Sequence, residues 1–296
     1  MIVIVWLVLF LAAVGAWAAD LEPREIVRRS VEANEGENWT IARNYTFLER
    51  VETKHLKGDR SARSRSVKTY DVTLVEGSPY RRLVARDDRS LPAEEERRQD
   101  ELLQGSIEAR RKETPSERAK RIAEFEKQRN KYRDALREIP DAYSFRLVGE
   151  EEIDQNAVWV IEATPRPGYK PRSRYARLFP HLRGALWISK SDFHWVRTAA
   201  ELVDNFHFGW ILLRVAKGAR VEMEQVRVNG EVWLPRRVWY VASARIGLFR
   251  RYFVEQENTY SRFRKFVADS RVVSTTALEY KRRVPVPLYL ALSRCK

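Results

Sequence analysis

Four histidines, one cysteine and a run of carboxylates are the residues of this 296-residue chain best suited to ligating a metal or moving a proton. His55, His181, His194 and His207 are scattered, and no HExxH spacing sets two of them one helical turn apart, as a zinc site of that kind requires. Hydrolytic chemistry would need His181, His194 or His207 to meet a carboxylate and a serine in the fold. Glu150-Glu151-Glu152 with Asp154 supplies carboxylates, but successive strand residues point to opposite faces and Gln155-Asn156 follow as turn residues. An exposed acidic hairpin end is therefore expected there, not an acid/base pair. Cys295 is the only cysteine, so the chain forms no internal disulfide, all-cysteine zinc site or iron–sulfur cluster. No G-x-S-x-G elbow, P-loop, G-x-G-x-x-G or C-x-x-C occurs. The expectation is a protein that is not an enzyme, with no catalytic residues, no metal and no cofactor.

The aromatic supply points elsewhere. Trp159, Trp187, Trp195, Trp210 and Trp233, with Trp239, all fall on stretches that read as strands. On a curved sheet such side chains can enclose an acyl chain or apolar peptide, with binding that follows the apolar area removed from water. The first five are the candidate cavity lining. The alternative is that they fill the core between sheet and helices, since large aromatics serve both purposes.

The elements that must position them can be read from periodicity. Pro23 to Asn34 suits a helix, with Ile26, Val27 and Val31 on one face and proline in its first turn. Trp39 to Val51 alternates as a long half-buried strand, and Tyr70 to Ala85 reads as a hairpin turning at Gly77-Ser78-Pro79. Residues 86–138 hold 29 charged side chains in 53 and read as two helices, the second opened by the capping box Thr114-Pro115-Ser116-Glu117 and stopped by Pro140. Its stripe of Ile122, Phe125, Tyr132, Leu136 and Ile139, interrupted by Arg129, fits a helix laid on a sheet. From Tyr143 onward strands dominate, and Asn229-Gly230 is the strongest hairpin signal in the chain. Thr164 to Pro180 reads as a long, mobile, basic loop, and 271–296 as a peripheral tail with Lys281-Arg282-Arg283 before Leu288 to Leu292.

The first 19 residues form an uncharged apolar run after Met1, closing with Ala16-Trp17-Ala18-Ala19 in the small-residue pattern of a cleaved secretory signal. No Lys or Arg precedes the run, so either the true start lies upstream or the segment is retained as an N-terminal membrane anchor. Export to the periplasm is the expectation. The net charge is +14, and segment counts place the excess beyond Thr164: 165–250 hold 16 basic and 6 acidic residues, whereas 86–138 hold 15 and 14. Export makes nucleic acid an unsuitable partner for that charge and leaves an anionic membrane surface or an envelope protein.

Val75 to Leu83 (VEGSPYRRL), Gly184 to Ser189 (GALWIS), Val228 to Pro235 (VNGEVWLP) and Tyr260 to Phe266 (YSRFRKF) together resemble the periplasmic lipoprotein-carrier superfamily of LolA, LolB and RseB, over most of residues 21–270. The resemblance implies an α+β, mainly β fold: an open antiparallel β-barrel, or half-barrel, closed by helices, here a single domain over 20–270 with a charged helical-hairpin insertion at 86–138. It also implies an apolar interior that receives lipid acyl chains, with Leu186-Trp187-Ile188 and Val232-Trp233-Leu234 on the strands concerned. The insertion and the tail are departures from the lipoprotein carrier itself. The expected function is an exported carrier of lipoprotein acyl chains or envelope lipid. The alternative is an RseB-like sensor acting through a protein partner.

Overall fold

A computed structural model describes residues 21–208, 213–246 and 250–266. Helix α1 (Pro23–Glu35) buries Ile26, Val27 and Val31 and turns Arg28 and Arg29 outward onto Glu25. The alternating stretch that follows does not begin as a strand. Glu37–Ala42 form a short helix, α2, and the strand β1 runs Tyr45–Leu56. The reason is tertiary: Asn38 exchanges two hydrogen bonds with the backbone of Trp233, accepting from its N–H at 2.6 Å and donating to its carbonyl at 3.1 Å. Ile41 and Ala42 then pack on Tyr45, Val232 and Leu234.

The hairpin β2 (Ala62–Val75) and β3 (Ser78–Arg86) comes next, with a two-residue β4 (Arg89–Ser90). Helices α3 (Ala93–Arg111) and α4 (Pro115–Leu136) fill the charged segment, and the Thr114–Glu117 capping box forms with both reciprocal bonds. Helix α4 ends before Pro140, which lies inside a further short helix, α5 (Ile139–Ala142). The remaining strands are β5 (Tyr143–Ile153), β6 (Asn156–Pro165), β7 (Leu182–Ser189), β8 (Trp195–Leu202), β9 (Phe206–Phe208), β10 (Leu213–Val215), β11 (Arg220–Val228), β12 (Val232–Ile246) and β13 (Arg250–Lys265). All pair antiparallel in one sheet ordered β4-β3-β2-β1-β13-β12-β11-β8-β7-β6-β5, with β10 beside β12 and β9 beside β10. The ends do not meet, so the architecture is an open, mainly β half-barrel with helices.

Curvature has local causes. Register shifts interrupt six of the strand pairings, and each such bulge bends and twists the sheet. Gly184 on β7 lies against the backbone of β8, where a Cβ would stand 2.2 Å from the Ala199 carbonyl oxygen. Only glycine permits that approach. Helix α4, roughly 33 Å long at 1.5 Å per residue, then ties the two ends together. At one end Arg121 donates to Ser78 Oγ (2.6 Å) and the Glu76 carbonyl (3.0 Å) in the β2–β3 turn. At the other, Arg137 pairs with Glu35 of α1 at 2.7 Å, and Tyr132 stacks on Tyr175 with centroids 4.5 Å apart.

Two carboxylates pin what would otherwise be loose. Glu138, 3% exposed, accepts from Tyr169 Oη and from the backbone N–H groups of Arg172 and Ser173 at 2.6–2.8 Å, so the basic loop expected to be mobile is clamped to the end of α4. Asp192, in the β7–β8 turn, accepts from Trp233 Nε1 (2.8 Å) and the His194 backbone N–H (3.2 Å), joining that turn to β12. Burial pushes the Asp192 carboxyl up, but the imidazole of His194, the Trp233 indole and the Ser189 hydroxyl outweigh it and hold the group well below the usual carboxylate range.

Two outcomes follow. Gly184→Ala is expected to cost about 1–3 kcal/mol by forcing β7 from β8, read by urea unfolding. Asp192 has a depressed folded pKa, so its contribution is complete above the unfolded value of about 3.9 and is lost as pH falls toward the folded one. Asp192→Asn is expected to lower stability by about 2 kcal/mol at neutral pH, with the gap between parent and variant closing at strongly acidic pH.

Candidate functional site

One register row crosses the helix-side face of the sheet: Ile161, Leu186, Thr198, Met223, Val238, Asn258 and Val51 are successive partners from β6 to β1. Its first part is sealed. Ile161, with Ile188 and Trp195, forms a core cluster with Ile26, Val27 and Val31 of α1, and Leu186 and Met223 pack against it. Further along, Met223, Val221, Tyr240, Val51 and Thr53 are half-buried, while Val238 (1% exposed) and Asn258 (4%) between them are covered. Beyond them stands a charged pole, where Glu49, 1% exposed, pairs with Arg81 at 2.5 Å and the Arg81 guanidinium lies 4.1 Å from the centre of the Tyr70 ring. Helix α4 directs Phe125, Tyr132 and Leu136 inward on one stripe, and Arg129 on the same stripe is buried beside Glu126. Apolar strands at one end and a buried ion pair at the other suit an amphipathic ligand.

The tryptophans expected to line one cavity are divided between the two faces. Trp195 lies under α1 and donates to Ser30 Oγ at 2.8 Å, and Trp159 packs on Phe193 on the same face. Trp187 and Trp233 belong to a cluster with Val158 and Val196 on the opposite face, where Trp187 donates to Glu151 and carries the Arg197 guanidinium over its ring. Trp210 lies outside the described residues. The bulge between Trp187 and Ile188 decides the split, because Ile188 opposes Trp195 whereas Trp187 opposes Arg197. The pole at Glu49 and Arg81 carried no sequence signal beyond two charges on alternating strands.

The histidines do not converge. His194 sits at one end of β7, its Nδ1 3.5 Å from Asp192, and His181 sits at the other end, bonded to Asp204 at 2.6 Å. Ser189 is buried beside Asp192 and shares a hydrogen bond with Ser191. It therefore engages the carboxylate, where a nucleophile relay would need it on the imidazole. Glu150 and Glu151 are engaged separately, by Lys190 and Trp187. Among the described residues no group of three His, Cys, Asp or Glu side chains is placed to hold a metal ion, and no helix is long and apolar enough to cross a membrane.

No protein-family model matches the chain, and no curated protein matches it. Solved structures do. A domain described as an outer membrane lipoprotein-sorting protein from Vibrio parahaemolyticus is 13% identical over 84% of this chain and 94% of its own, with a TM-score of 0.33. A LolA superfamily protein from Nitrosomonas europaea is 12% identical over 83% and 93%, with a TM-score of 0.30. The complex of MucA and MucB from Pseudomonas aeruginosa matches at 11% identity over 83% and 99%, with a TM-score of 0.24.

Proposed function

We propose that this chain is an exported, non-enzymatic carrier that holds a hydrophobic ligand, lipoprotein acyl chains or another envelope lipid, on the helix-side face of its open sheet. The observation that carries this reading is that Val221 and Met223 on one side, and Val51 on the other, of the buried pair Val238 and Asn258 stay half-buried between the α1 core and the Glu49–Arg81 pair. A packed core leaves few such gaps. Here apolar side chains stay unsealed on a face that helices already flank, and an acyl chain laid there gains about 25 cal/mol for each Å² of apolar surface withdrawn from water. Trp159 and Trp195 bound the site at the α1 end, and the ion pair faces the ligand's polar end.

A second reading, an RseB-like sensor acting through a protein partner, is favoured by the end strand β5. Among the described residues no strand pairs with its outer edge, and it exposes Leu147 (37%) and Val148 (41%). Exposed edges are where a partner's strand can add. Crosslinking in the envelope separates the two: a stable protein partner on β5 favours sensing, and transfer of labelled lipoprotein between membranes favours carriage.

Carriage is checked by native mass spectrometry of gently purified protein and by uptake of a fluorescent fatty acid. Co-purifying lipid is expected. Met223→Glu and Val51→Glu, each placing a carboxylate at a half-buried position of that face, are expected to weaken uptake roughly ten- to hundredfold with circular dichroism unchanged. A parent chain that holds no lipid and takes up none overturns the reading.

A further inference from the structure

A second register row lies beside the first on the helix-side face. Gly184, Ala200, Val221, Tyr240, Gln256 and Thr53 are successive partners from β7 to β1, and every one of them is half-buried. The row changes character along its length. From Gly184 to Tyr240 its side chains are chiefly apolar, over about 14 Å at ~4.8 Å per strand. That matches one acyl chain, which spans half of the ~30 Å hydrocarbon core of a bilayer. From Gln256 onward the row is polar, and its neutral groups are spent on one another. Gln256 donates to Asn258 Oδ1 at 2.6 Å, and Thr53 donates to Gln256 Oε1 at 3.4 Å.

Lys68 stands at that polar end. It is half-buried, the register partner of Val51 on β1, and shares its strand face with Tyr70 two residues on. Among the described residues no carboxylate pairs with its ammonium group. The carboxylates around it are engaged: Glu49 by Arg81 at 2.5 Å, Glu95 by Arg86, which is the partner of Lys68 on β3, and Asp87 by the Val67 backbone N–H at 3.0 Å. Arg81 Nε is buried and has no acceptor either. This end of the row therefore holds donors and positive charge that its own acids leave unmatched. An anion that joins such a cation forms a charge-assisted hydrogen bond, shorter and stronger than a neutral one.

On the strength of the carrier reading, on which this inference rests, we propose that the row binds an amphiphile with an anionic head group, a carboxylate or a phosphate, held at Lys68. Its acyl tail runs along Tyr240, Val221 and Ala200 toward β7. Arg81 already has its anion in Glu49, so Lys68 is the contact that distinguishes an anionic head from a neutral one. The ligand thereby acquires a charge and a direction across the sheet.

The experiment is displacement of Nile red, an uncharged dye, from the full chain by dodecanoate, dodecyl phosphate and dodecanol, each below its micelle concentration, and by inorganic phosphate. Both anionic amphiphiles are expected to act at roughly ten- to hundredfold lower concentration than dodecanol, the factor that a hydrogen bond to a charged group carries. Inorganic phosphate, which has no tail, is expected to displace nothing. Lys68→Met should abolish the preference and leave displacement by dodecanol as in the parent, which shows that the variant is folded. Lys68→Arg should keep the preference. Equal potency of the three amphiphiles on the parent overturns the proposal and leaves carriage standing. So does a Lys68→Met variant that retains the preference, and so does displacement by inorganic phosphate alone. A parent chain that takes up neither the dye nor any of the amphiphiles overturns carriage, and this inference with it.

Discussion

An open sheet must hold its curvature without closing hydrogen bonds between its first and last strands, and α4 is the part of this molecule that answers that constraint. A sheet path of about 43 Å from β3 to β5, at ~4.8 Å per strand, is longer than the helix that joins its ends. The sheet is therefore bent like a bow behind its string. The string is fastened by guanidinium groups: Arg121 reaches the β2–β3 turn, and Arg133 and Arg137 reach Glu35. Gly77, at φ +82°, lets that turn lie against Ile122.

The bend gives the two faces different chemistry. Arginine–glutamate pairs balance charge on the outer face, where the Arg197 guanidinium, paired with Glu222, lies over the Trp187 ring. The inner face is sealed under α1, half-buried at Val221, Met223 and Val51, and charged at Glu49–Arg81. Burying such a pair costs desolvation that attraction alone rarely repays.

Features written in a few adjacent residues were legible in the sequence. Pro23 opens α1, Thr114 caps α4 with Glu117, and Asn229-Gly230 turns β11 into β12 with both residues at positive φ. Features set by distant partners were not. The alternation from Trp39 argued for a strand, but Asn38 is claimed by Trp233, 195 positions away, and the segment folds as helix. The facing of Trp195 relative to Trp187 depended on a one-residue bulge at Val196, and strand parity carries no trace of a bulge. The acidic run Glu150 to Glu152 lies exposed at a hairpin end, where the following turn residues place it, but the anchoring role of Asp192 lay 41 residues from its indole partner.

Glu138 gathers distant segments at one joint. A single carboxylate, held below its ordinary pKa because its hydrogen bonds outweigh its burial, gathers the basic loop from Tyr169 to Ser173 onto the joint between α4 and α5. The same joint anchors α1 through Arg24, which donates to the Pro140 carbonyl and to Asp141. Loop, strap and first helix therefore share one fastening. Segments held by one fastening are expected to open as a single unit, with amide protection rising and falling together across positions more than a hundred residues apart.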